Sequence, residues 1–178
     1  DNVLSQNKIV NNFVGVVFSQ SSNNSVSGNN ITENLVRSSF ASSFNNTFAN
    51  NTMDGVYIRD SFNNTLVGNA IGSFELTQSS KTTFYHNNVE FVYPGYESFD
   101  NTWDDGYPSG GNYWSDYNGT DSDNDGIGEE EYVIDTSNTD HYPLMGMFSS
   151  FNTSYGYAVN FVSNSSISDV SFNLSPIE

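Results

Sequence analysis

The sequence predicts an all-β chain: a right-handed parallel β-helix of about five coils, with an acidic C-terminal cap loop and extra β-strands. Three observations point to it. A motif recurs every 18 to 22 residues. Its apolar residues alternate at the period of a strand, not of a helix. The same residue types also return to the same column in successive copies, as stacked coils require.

The repeat is plainest in "NNSVSGNNI" from Asn23, "NNTFANNTM" from Asn45 and "NNTLVGNAI" from Asn63. "VLSQNKI" from Val3 and "KTTFYHNNV" from Lys81 keep its phase. A second block precedes each copy: "GVVFSQSSNN" from Gly15 matches "GVYIRDSFNN" from Gly55, and Ser38 and Ser73 open two more. One apolar column runs Leu4, Val26, Phe48, Leu66, Phe84, with Trp103 as its continuation. Another runs Ile9, Ile31, Met53, Ile71, Val89. A third is Val16, Ser38, Val56, Phe74, and a fourth Phe18, Phe40, Ile58, Leu76. Two polar columns run Asn7, Asn29, Asn51, Asn69, Asn87 and Ser21, Ser43, Ser61, Ser79.

These apolar segments are too short for helices, and Asn, Ser and Gly interrupt them. Parallel coils rise by one strand spacing, ~4.8 Å, so like stands on like and the Asn column can form an amide ladder. The right hand follows from the general rule for parallel crossovers. Residues 1–103 are therefore read as coils, 104–148 as an aromatic and acidic cap segment, and 149–178 as strands opening a second β module or a lid.

The charge balance excludes whole classes of partner. Twenty-one acids face four basic residues, for a net charge of −17. Nucleic acid and anionic membrane both need clustered Lys and Arg. No apolar run approaches the ~20 residues that span a bilayer, so direct membrane insertion is not expected. There is no Cys, hence no disulfide or thiolate site. No signal peptide is read at the start.

Together with "NNTLVGNAI", the segment "GGNYWSDY…DSDNDGIG…YVID…DHYPLM" resembles the NosD-type β-helix proteins. The resemblance covers residues 1 to about 147. Versions with this tail are similar to archaeal cell-surface proteins, and the coil repeat is shared with carbohydrate-binding and sugar-hydrolase β-helices. The resemblance thus implies an exterior location. The family's copper label does not transfer automatically, because fold alone does not carry function.

The stretch "NGTDSDNDGIGEEEY" carries the sharpest metal signal. Asp121, Asp123 and Asp125 alternate and Gly126 follows, like the start of an EF-hand calcium loop, with the Ile127 carbonyl next in order. Position twelve of such a loop is Tyr132 rather than Glu. The closer likeness is to the short calcium loops of thrombospondin-type repeats, where Glu129 holds the acidic position. Asp116 is offered as a further ligand, and Ca2+ as the cofactor.

Nine sequons, at Asn23, Asn30, Asn45, Asn50, Asn63, Asn118, Asn152, Asn164 and Asn173, permit N-glycosylation. A chain this rich in Asn, Ser and Thr carries about six by chance, so they do not establish it. The function expected is a non-enzymatic extracellular structural or adhesive cell-surface protein: a surface layer, sheath or filament component. Its first coil starts in full phase without a cap, so self-assembly is expected and glycans are candidate partners.

A carbohydrate-active enzyme is the alternative. Asp54 with Asp60, or Asp104 with Asp105, would be its acids, but the columns put Thr32 and Gly72 beside Asp54, and the four basic residues form no strip. A copper-binding accessory protein is the second alternative, with His86, His141, Met53, Met145 and Met147 as donors. The aromatics Tyr107, Tyr113, Trp114 and Tyr117 are read as a plug for the coil stack.

Overall fold

The computed structural model describes residues 1–93, 95–152 and 158–161. Among them there is no helix, and about five turns of a parallel β-solenoid carry the chain. Coil one holds β1 (Val3–Ser5) and β2 (Val17–Ser19). Coil two holds β3 (Ser25–Ser27), β4 (Asn30–Ile31) and β5 (Ser38–Ala41). Coil three holds β6 (Thr47–Ala49), β7 (Thr52–Met53) and β8 (Val56–Arg59). Coil four holds β9 (Thr65–Val67) and the long β10 (Ala70–Thr77). Coil five holds β11 (Thr83–Tyr85) and β12 (Asn88–Tyr93).

Stacking gives one sheet in the order β1-β3-β6-β9-β11. The other runs β12-β10-β8-β5-β2, with β4 paired to β7 and β7 to β10. The register is the one the columns require. Leu4 pairs with Val26, Val26 with Phe48, Phe48 with Leu66, and Leu66 with Phe84. Ile31, Met53, Ile71 and Val89 pair in sequence, as do Phe18, Phe40, Ile58 and Leu76. The inward residues form one continuous core, with Phe40 edge-on to Phe48 at 4.3 Å and Phe74 on Phe84 at 4.4 Å. Alternate residues face water, which is why the strands show a buried-exposed rhythm.

The coils turn at left-handed corners. Asn23, Asn45, Asn63 and Lys81 have φ of 54° to 57°, and so stand one above another. Gln6, Gly28, Asn50, Gly68 and His86 form a second such column, at 55° to 67°. Asn tolerates this conformation better than most residues, which suits Asn23, Asn45, Asn50 and Asn63 to the corners.

Beyond coil five the chain closes the stack. Strand β13 (Tyr113–Trp114) pairs with β12, putting Trp114 over Val89. Trp103 follows Thr102, which bridges to Thr83, and its ring lies 5.3 Å from Phe84. Both tryptophans are buried. Trp114 stacks on Tyr132 at 4.6 Å, and Tyr132 starts the hairpin β14 (Tyr132–Asp135) and β15 (Asn138–Asp140). So Trp114 plugs the stack, whereas Tyr107 is exposed and does not. A further hairpin pairs β16 (Ser149–Asn152) with β17 (Ala158–Phe161). Asn164 and Asn173 lie outside the described residues, as does most of the segment after Asn152.

Candidate functional site

The polar interior decides which side chains remain free to act. In the Asn column each residue gives its backbone N–H and its side-chain N–H to the next residue's Oδ1, at 2.9–3.1 Å from Asn7 to Asn87. The ladder continues past the predicted residues. Asn87 donates to Asn112, and Asn112 to the Oδ2 of Asp140. That carboxylate is fully buried and also accepts from Trp114 Nε1, while its other oxygen accepts from Tyr142 N–H. Burial pushes its pKa up to about 6, against these four hydrogen bonds, which lower it.

Two more ladders went unread in the sequence. One runs Asn2, Asn24, Asn46, Asn64 and breaks at Thr82, whose hydroxyl is buried without a partner. The other runs Asn12, Asn34 and ends on Asp54 Oδ2. Asn-x4-Asn-x4-Asn spacing at residues 2, 7 and 12, repeated from 24, could have revealed both. The serine column is a ladder as well: each backbone N–H donates to the next Oγ, from Ser21 to Ser98.

The aspartate loop comes together only in part. Oxygens of Asp121, Asp123 and Glu129 lie within 4.8 Å of one another. Asp121 accepts from the N–H groups of Asp125 and Gly126, and Asp125 from that of Ile127. Glu129 accepts from Ser122 N–H and from the Thr120 hydroxyl. Its hydrogen bonds to Ser122, first of all, hold its pKa at about 2. Asp116 is drawn away by the Tyr132 hydroxyl at 2.9 Å. Ile127 is buried in the cap and bridges to Leu144. What holds these carboxylates together is largely the loop's own N–H and hydroxyl donors.

A cleft of about 490 Å³ opens on the side of the stack. It crosses coils two to five and β13, lined by Thr32, Asp54, Gly72, Glu90 and Ser115, which directly follow Ile31, Met53, Ile71, Val89 and Trp114. Tyr113 and Met147 bound one end, and Met53 lines it from within. Asn88 holds Met147 in place by clamping the Phe148 backbone, at 2.9 and 2.6 Å.

The other copper candidates stand apart from it. His86 is buried, its Nε2 lies 2.8 Å from the Ser109 carbonyl, and its ring stacks on Phe148. His141 pairs with Glu131 at 2.7 Å, and that hydrogen bond raises its pKa above the usual value. The acids offered for an enzyme are likewise dispersed: Asp60 pairs with Arg59, Asp104 holds His141 N–H, and Asp105 holds Ser109. Of the sequons, Asn23, Asn30, Asn45, Asn50, Asn63 and Asn118 are exposed. No described helix is long and apolar enough to cross a membrane.

A family described as "Periplasmic copper-binding protein (NosD)" matches residues 1–119, which is more than half of the chain. No curated protein and no solved structure matches. The copper description overturns the expectation of Ca2+ as the cofactor. The oxygen-only aspartate loop misled, because its alternating acids look the same whether a hard cation or the loop's own donors neutralise them. With a parallel β-solenoid and a match over its coils and first cap residues, the chain belongs to the NosD family.

Proposed function

We propose that this chain is a non-enzymatic structural or adhesive module of the cell surface. The observation that supports it best is where its buried polar groups go. The ladder asparagines and serines spend their hydrogen bonds on the neighbouring coil, so the polar interior serves rigidity rather than a reactant. The family's periplasmic description fits an exterior place. Exposed sequons such as Asn30, Asn50 and Asn118 suit glycan attachment. Association with copies of itself belongs to the same proposal. The test is antibody labelling of intact, unpermeabilised cells, with sedimentation of the purified chain over a wide concentration range. Surface labelling and concentration-dependent association are expected. Labelling only after permeabilisation, with a monomer throughout, would overturn the reading.

A second reading, copper binding, is favoured by the family description and by the two thioethers, Met53 and Met147, that share the cleft. Thioether sulfur suits Cu(I). Competition with a Cu(I) chelator tests it: Met147→Leu should weaken retention, and an unchanged competition curve would remove the cleft from consideration.

A further inference from the structure

The cleft has a notch at its centre, and the stacking explains it. Two outward columns line the groove. One is Thr52, Ala70, Asn88, Tyr113; the other is Thr32, Asp54, Gly72, Glu90, Ser115. The smallest member of each column, Ala70 and Gly72, falls in the same coil. Gly72 cannot be enlarged cheaply, since a Cβ there would lie 2.5 Å from the Asp54 carbonyl oxygen. The notch is therefore flanked by Asp54 and Glu90, two strand spacings or about 10 Å apart along the axis. Both are exposed. Asp54 uses one carboxylate oxygen on the Asn34 N–H and keeps the other free.

We infer that this groove binds a linear oligosaccharide, neutral or amino-substituted, lying along the solenoid axis. Four features argue for that occupant. The groove spans coils two to five and β13, so it suits an elongated ligand rather than a compact one. Its acids stand too far apart to chelate one ion together, yet each can accept from a sugar hydroxyl or ammonium. Tyr113 and Met147 supply an apolar surface for the C–H face of a ring. The carboxylates and the net charge of −17 disfavour an anionic chain. A peptide fits less well: strands paired above and below offer it no free sheet edge, so its backbone donors would lose water without gaining partners.

The test is calorimetry on the whole chain, with a metal chelator present so that it is independent of copper. The probes are a glucosamine tetramer, cellotetraose, tetragalacturonate and tetralysine. Both of the first two should bind, the glucosamine tetramer about threefold tighter at low salt, with the difference shrinking as salt rises. Tetragalacturonate should not bind. Ala70→Phe fills the notch from an outward strand position and should cost about tenfold in affinity at an unchanged melting temperature. Asp54→Asn and Glu90→Gln should erase the preference for glucosamine while leaving cellotetraose bound. Tetralysine binding as tightly as the glucosamine tetramer would mark a general cation surface and overturn the proposal. So would sugar binding indifferent to Ala70→Phe, or no sugar binding at millimolar concentration.

Discussion

Asn112 gives two N–H groups, one from its backbone and one from its side chain, to a single oxygen of Asp140, at 2.8 and 3.3 Å. This is the bond pattern that joins Asn51 to Asn69, with a carboxylate in place of the next amide. Every backbone N–H of the column from Asn7 to Asn112 donates toward Asp140, while side-chain amides such as that of Asn51 also reach back to a carbonyl of the preceding coil. The last of these N–H groups meets a carboxylate, much as a helix N-terminus faces an anion. A buried acid thus terminates the polar spine and joins it to the tryptophan plug through Trp114.

That acid gives stability a particular pH dependence. Burial raises the Asp140 pKa from its ordinary 3.8 to about 6, so between these values the folded state holds a proton that the unfolded state has lost. Its contribution is greatest below about pH 4 and falls by about 3 kcal/mol as pH rises to 6. Urea midpoints measured across this range should show the decline. Asp140→Asn should flatten it.

Glu129 acts with the opposite sign. Its pKa is lowered from 4.5 to about 2, so its contribution is present above 4.5 and lost as pH falls toward 2. Glu129→Gln should remove the most acidic part of the loop's unfolding profile, followed by amide exchange at Ser122. Unchanged exchange in that variant would show that the Ser122 bond does not hold the loop.

Asn51→Ala should be severe. It removes the acceptor for Asn29 and the donor to the Val26 carbonyl, leaving buried groups unpaired. A loss of about 2–4 kcal/mol in chemical denaturation is expected.

Thr82→Asn should do the reverse. Thr82 occupies an Asn column, its hydroxyl is unpartnered, and its own N–H already donates to Asn101. Asparagine there would supply Asn64 with the missing acceptor, for a gain of about 1 kcal/mol. A lower melting temperature would mean that the site has no room for the amide.

The columns were legible because a solenoid writes its register directly into sequence: Leu66 and Phe84 are 18 residues apart and pair. Trp114 and Asn112 were harder, since 25 residues separate Asn87 from Asn112 and break the period. Asp140 could not be read as a ladder residue at all, because an acid replaces the amide and arrives from a hairpin outside the repeat. The cleft was hidden for a different reason. Asp54 and Glu90 belong to alternate coils, and only the loss of side chains at Ala70 and Gly72 opens the space between them.

Like side chains standing over one another is most directly tested by cross-coil nuclear Overhauser effects in a side-chain-labelled sample. Contacts from Asn51 Nδ2 protons to Asn69, and from the Leu66 methyls to the Phe84 ring, are expected, with slow exchange of the Asn51 amide. Absence of both contacts, with that amide exchanging at the rate of an exposed one, would contradict the stacked-coil structure.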